Sequence, residues 1–156
     1  MIEIRIPGHR TLRLEHLVMD YNGTLACDGT LLDGVKEGMT ALKDHLRIHV
    51  LTADTFGQAA AQLDGLPCTL SILGERNQDI GKLDYVRDLG AEGVVAVGNG
   101  RNDRMMLKEA ALGIALILDE GAAVETIRSA DVVCTSVPSA FSLLTNPLRL
   151  TATLRS

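Results

Sequence analysis

No CxxC pair, no excess of basic residues and no long apolar run occur in this chain. The three cysteines, Cys27, Cys68 and Cys134, are far apart and odd in number, so neither a disulfide framework nor a zinc site is expected, and a reducing cytoplasm fits them best. The formal net charge is −5, which leaves no electrostatic footprint for nucleic acid and disfavours an anionic membrane surface. Nothing approaches the ~20 apolar residues that span a bilayer. Met1 to Ile6 alternate like a strand and lack the core of a signal peptide. Nucleic acid and membrane are therefore not expected partners, and the cytoplasm is the expected location.

What is present is enough for a folded core: 156 residues, 46% of them apolar. Ile2, Ile4 and Ile6, the turn Pro7-Gly8, then Leu12 and Leu14 predict an N-terminal β-hairpin. Leu17 to Met19 predict a buried strand ending at Asp20. Val35, Met39, Leu42 and Leu46 follow helical spacing, and Ile48 to Leu51 form a strand ending at Thr52. Asp54 or Thr55 can cap a short helix through Leu63. Further strands are expected at Leu70–Leu73, Gly93–Val97, Ile114–Leu118 and Asp131–Cys134. Helices are expected around Ile80–Leu89, Met105–Ala111, Ala122–Ser129 and Ser139–Leu144, with Pro147 interrupting any continuation. This alternation predicts an α/β protein of three layers, Rossmann-like, with a mainly parallel sheet and helices on both faces. No linker, repeat or low-complexity stretch breaks it, so one domain is expected over residues 1–156, with 1–15 as a hairpin extension.

In such sheets ligands bind beyond the carboxyl ends of the strands. The polar residues leaving those ends are Asp20, Thr52, Asn99 and Asp103. Asp20-Tyr21-Asn22-Gly23-Thr24-Leu25 places a carboxylate before a glycine-containing turn, where backbone N–H groups can hold phosphate oxygens.

That segment resembles the first motif of the haloacid dehalogenase (HAD) superfamily, Asp-x-Asp-Gly-Thr. Leu51-Thr52-Ala53-Asp54 resembles the second motif, Lys82 the third-motif lysine, and Gly98-Asn99-Gly100-Arg101-Asn102-Asp103 the fourth. Ala130-Asp131-Val132-Val133 also recurs near the end of the family domain. The resemblance spans roughly Leu14 to Thr135 and is closest to the phosphorylation domain of P-type ATPases and its soluble relatives. It implies a Mg²⁺-dependent phosphohydrolase in which Asp20 attacks phosphorus and forms an aspartyl-phosphate. Asp20, Asn22 (through its carbonyl), Asn99 and Asp103 would be the metal ligands. Thr52 and Lys82 would bind the phosphoryl group with Gly23, Ala53 and Asn102, and Lys82 would neutralise its charge. The expected substrate is a phosphorylated small molecule or macromolecule.

Two positions depart from the pattern. Asn22 stands where family phosphatases carry the Asp that acts as general acid and base, and an amide cannot exchange a proton in that role. P-type ATPases also lack a carboxylate there. Asn99 stands where a carboxylate normally meets Mg²⁺, and Asp103 remains as a ligand or as a partner for Lys82. Turnover is thus expected to be weak or narrow, the alternative being a non-catalytic phosphate-binding or interaction module. The intervals from Asp20 to Thr52 and from Thr52 to Lys82 are too short for a cap domain, and an open site suits a large substrate or cover by a second subunit; with the exposed edge of the N-terminal hairpin, that predicts a homo-oligomer. Nothing resembles a P-type nucleotide-binding domain, so ion pumping is not expected. Gly98-x-Gly100 lacks the third glycine of a dinucleotide fingerprint. A receiver domain would carry its phosphorylated Asp after the third strand of the sheet. His9, His16, His45 and His49 lack metal-site spacing and are expected at the surface or in the hairpin. Cys27, Met105 and Met106 are expected to pack.

Overall fold

The computed structural model describes residues 1–54 and 57–156. Six parallel strands form its central sheet, in the order β10-β9-β8-β3-β6-β7. These are β3 (His16–Asp20), β6 (Arg47–Thr52), β7 (Thr69–Ile72), β8 (Val94–Gly98), β9 (Leu112–Leu116) and β10 (Val132–Cys134). Strands β3, β8 and β9 are buried along their whole length, as strands covered on both faces must be. Successive side chains alternate between faces. Leu17, Met19, Val95 and Val97 join one core, and Val18, Ala96 and Ala115 join the other.

The first core is closed by α1 (Val35–Leu42), α6 (Val137–Thr145), α7 (Pro147–Leu154) and the hairpin of β1 (Ile2–Arg5) with β2 (Thr11–Leu14). The hairpin buries Ile4, Ile6, Leu12 and Leu14, so its apolar face belongs to this core. The second core is closed by α3 (Gln78–Asp88) and α4 (Arg104–Glu109), with Ile127 of α5 (Val124–Ser129) packed against it. Among the described residues, no helix is long and apolar enough to cross a membrane.

Local details refine three stretches. The helix α6 stops at Thr145, ahead of Pro147 as expected, but Pro147 also starts a further helix. It stands in the first turn of α7, where its missing N–H has no partner to lose. The helix after Thr52 is one turn, α2 (Ala59–Gln62), and Asp54 Oδ1 accepts from Ala59 N at 3.0 Å, while Thr55 lies outside the described residues. A second hairpin, β4 (Ala26–Cys27) with β5 (Thr30–Leu31), follows the Asp20 loop. Its two-residue turn, Asp28-Gly29, has positive φ at both positions (49° and 81°), the geometry that Asp-Gly favours.

The histidines divide. His9 and His45 are exposed, but His16 and His49 are buried on neighbouring strands. They satisfy one another. His16 Nδ1 lies 3.0 Å from His49 Nε2, and His49 Nδ1 lies 2.9 Å from the Tyr85 hydroxyl of α3. Burial is the main reason that both imidazoles titrate low, and each ring also feels the Arg47 charge. For His49 burial comes first, then the neighbouring His16 and Arg47, and its pKa falls from 6.5 to about 4. An unfolded chain binds more protons there than the folded one, so this contribution is complete above pH 6.5 and lost as pH falls through 4. We expect thermal melts to show a loss of about 3 kcal/mol across that window. His49→Gln should flatten it, and an unchanged acid profile in that variant would assign the loss to other groups.

Candidate active site

The chain fills the sheet outward from β3 through β6 to β7, then returns to β3's other side with β8. The loops leaving β3 and β8 therefore part at a switch point, which opens a crevice at their carboxyl ends. Asp20 is the last residue of β3, Thr52 the last of β6, and Asn99 follows β8. A cavity of about 140 Å³ gathers Asp20, Asn22, Thr52, Ala53, Asn99 and Asn102 of the expected residues, and adds Gln78, Gly100 and Glu120. A larger depression, about 770 Å³, lies around His45, Arg47 and His49 near the strands' other ends. It holds none of the motif residues, so the small polar cavity is the candidate site.

Lys82 lies beneath the cavity, 1% exposed. Its Nζ donates to Asp20 Oδ1 and to Asp103 Oδ1, each at 2.6 Å. Burial alone would push this ammonium toward deprotonation. The charges of Asp20 and Asp103 and their hydrogen bonds outweigh that and hold its pKa above the usual lysine value. Asp103 is fully buried. Burial, then the Asp20 charge, push its carboxyl up, while Lys82 and the backbone N–H of Gly100 pull it down. Its Oδ2 accepts from Asn99 N at 3.0 Å and Gly100 N at 2.8 Å. With three donors aimed at it, the ionised form is the one this geometry holds. Of the two roles open to Asp103, partner to Lys82 is the one seen. Gly98 makes room for it, since a Cβ there would fall 2.5 Å from the carboxylate.

Asp20 keeps one oxygen on Lys82. The other lies 3.4 Å from Thr24 Oγ1, which is also 3.2 Å from Asn99 Oδ1. Thr52 Oγ1 accepts from Asp54 N at 2.9 Å, so its own O–H remains to be donated. Asn102 Nδ2 donates to Gln78 Oε1 at 2.8 Å. Asn22 Oδ1 is buried and has no hydrogen-bond partner among the described residues.

The amides of residues 23–26, in the loop after Asp20, are not offered to a ligand as expected. Gly23 N donates to Ala26 O at 2.7 Å, and the N–H groups of Thr24, Leu25 and Ala26 all donate to Tyr21 O. Gly23 contributes conformation instead. Its φ is +78°, and a Cβ would strike the Asn99 amide and lie 2.7 Å from Glu120 Oε2. Asp131, from the last family-like segment, is structural: its Oδ2 accepts from Gly113 N at 2.8 Å and ties β10 to β9. Met106 packs in the second core, and Cys27 is half-buried in the short hairpin.

Gln78 and Glu120 were not anticipated. Gln78 opens α3 four residues before Lys82, a spacing that puts both on one helix face and could have found it. Glu120 had no motif to mark it.

No family model matches the sequence. Among solved structures, the 3-deoxy-D-manno-octulosonate 8-phosphate phosphatase of Moraxella catarrhalis, determined with magnesium, phosphate and KDO, aligns over 91% of this chain and 94% of its own (TM-score 0.67, 18% identity). A phosphatase of the haloalkanoate (HAD) enzyme superfamily from Bacteroides thetaiotaomicron aligns over 90% and 96% (TM-score 0.60, 12% identity). A zinc-transporting PIB-type ATPase aligns over 80% of this chain and 20% of that one (TM-score 0.63, 25% identity). The fold is that of the HAD superfamily. By sequence, the chain belongs to the same family as the uncharacterized protein MJ0073 of Methanocaldococcus jannaschii. The two are 43% identical over 83 residues, 51% of this chain and 89% of that one.

Removing Lys82 leaves two carboxylates buried together. Lys82→Met should destabilise the fold by about 3–5 kcal/mol in denaturant titration. Adding Asp20→Asn and Asp103→Asn should recover part of that loss. If the triple variant is no more stable than the single one, packing rather than charge sets the cost.

Proposed function

We propose that the chain is a slow phosphohydrolase that works through an aspartyl-phosphate on Asp20. The observation that carries this reading is the Asp20–Lys82–Asp103 arrangement, in which Asp20 lines the cavity and Lys82 and Asp103 stand behind it. At ~30 Å³ per water-sized group, the cavity takes roughly four or five such groups, the scale of a phosphoryl group. Asp20 attacks phosphorus as the ester P–O bond breaks. Thr52 donates its hydroxyl to a phosphoryl oxygen. Lys82, held protonated between two carboxylates, offsets charge on the transferring group. Water then attacks the aspartyl-phosphate and releases phosphate.

The donor set fits Mg²⁺. Asp20, the Asn22 carbonyl and the Asn99 side-chain oxygen are hard oxygen donors, and the buried Asn22 Oδ1 is a further polar atom without a partner among the described residues. Bound there, the ion supplies positive charge to the phosphoryl oxygens. The open site suits a phosphorylated small molecule or an exposed phosphoryl group on a macromolecule. The free thiols Cys27, Cys68 and Cys134 suit the cytoplasm.

The slowness is assigned to Asn22. No proton donor stands at that position for the leaving group, and no base for water. The same fact favours a second reading, a phosphate-binding module that does not turn over. An Asp at 22 would place a carboxyl oxygen where Asn22 Oδ1 now has no donor, and burial would favour its protonated, acid-competent form.

The test is phosphate release from a phosphoester panel with Mg²⁺. Asp20→Asn should bring it to background, and Asn22→Asp should raise turnover by ~10²-fold. Each asparagine precedes a glycine, so mass spectrometry must confirm that neither has deamidated. If folded Asn22→Asp releases no phosphate from any ester, the binding module replaces the enzyme.

We also propose self-association along the edge strand β7, where Ile72 and nearby Ile80 are 60% and 47% exposed. Sedimentation at high concentration should show a dimer or larger species. A monomer removes this part of the proposal.

A further inference from the structure

Glu120 belongs to no motif, yet it lines the same cavity as Asp20, Asn22 and Asn99. It sits in the turn from Leu118 to Gly121 that follows β9, the strand beside β8. We propose that Glu120 supplies, from that neighbouring strand, the metal-binding carboxylate that position 99 lacks, and that Asn99 is the brace that puts it there. The inference rests on the reading of Asp20 as phosphoryl acceptor beside a divalent cation.

Three observations carry it. First, Glu120 Oε2 and the Asn99 amide converge on the same point above Gly23, the point that a Cβ on residue 23 would fill. The glycine leaves room for both. Second, Asn99 Nδ2 donates to Gly121 O at 3.0 Å, and Asn99 O accepts from Ala123 N at 2.9 Å. Both hydrogen bonds tie the Glu120 turn to the end of β8. An aspartate at 99 has no N–H to donate and would turn a carboxylate oxygen toward the Gly121 carbonyl. The amide at 99 and the carboxylate at 120 are therefore a coupled pair. Third, Lys82 already answers two buried carboxylates, Asp20 and Asp103. A further acid at position 99, itself buried, would pay the desolvation cost of a buried charge, whereas Glu120 is exposed and stays hydrated until an ion arrives.

The arrangement keeps the oxygen-rich donor set that Mg²⁺ prefers while moving one charge to the next loop. Glu120 also stands in an acidic rim. The ligand atoms of Cys27, Asp28 and Glu120 lie within 4.8 Å of one another. A general field from that rim is the competing explanation, and the test separates it from ligation.

The experiment is Mn²⁺ binding followed by electron paramagnetic resonance, with Mg²⁺ as competitor and no substrate present. Glu120→Gln should weaken Mn²⁺ by roughly 10-fold or more. Asp119→Asn and Asp28→Asn, which remove the same charge nearby, should stay within about two-fold. All three positions are exposed, so the variants should keep the parent's melting temperature without metal. Equal losses in the three variants would overturn the inference in favour of the field. If Asp20→Asn loses Mn²⁺ while Glu120→Gln keeps it, this inference fails and the catalytic reading stands. If the unaltered protein binds no Mn²⁺, or Asp20→Asn keeps it, both fall.

Discussion

A lysine ammonium held out of water between two carboxylates is the contact on which the rest of this site depends. Isolated, each of the three charges would be costly to bury. Together they are tolerated, because Lys82 reaches Asp20 and Asp103 at the same distance and Asp103 takes two further N–H donors from its own loop. The cluster joins three pieces of chain distant in sequence: the end of β3, the first turns of α3 and the loop after β8. None can shift far without exposing or orphaning a charge. That is why the carboxylate of Asp20 is held facing the cavity.

The two asparagines differ in kind. Asn99 is woven into the structure. It accepts from Thr24, donates to Gly121 and accepts through its carbonyl from Ala123, so its amide does work that a carboxylate cannot. Asn22 is the opposite case, with a buried oxygen that no described residue meets. An amide with partners at both ends reads as part of the scaffold, and what Asn99 can offer an ion is the remaining lone pair of its oxygen. An unsatisfied amide in the cavity of Asp20 reads as a group waiting for a ligand. Substituting both carboxylates of a phosphatase-like pattern therefore need not mean the same loss twice.

The likeness to phosphatases of the HAD superfamily and to part of a P-type ATPase gives this contrast a context. Those proteins share the fold at low identity, and the shared frame positions strand ends more than it dictates chemistry. Within such a frame, rates depend on which groups near the acceptor can give and take protons. The segments between Asp20 and Lys82 hold, among the described residues, only a two-stranded hairpin, α1, β6, one helical turn and β7. Access to the cavity is consequently open.

Apolar periodicity and strand-end polarity were enough, from the sequence alone, to determine the alternation of strands and helices, the parallel sheet, and the placing of Asp20, Thr52 and Asn99 at strand ends. Those features are local, since a buried parallel strand must be apolar and a functional residue must leave it at its carboxyl end. Spacing could not decide pairings made across the chain. The tertiary structure alone buried His16 against His49, turned Asp103 inward to Lys82 and closed the amides of the Asp20 loop on their own carbonyls. Asp28-Gly29 carries a hairpin signal in its own two residues, and Pro147 is a stop that the next helix uses as its start. Glu120 was not legible at all. A residue in a short turn carries no periodicity, and only the register of β9 beside β8 brings it to the nucleophile's cavity.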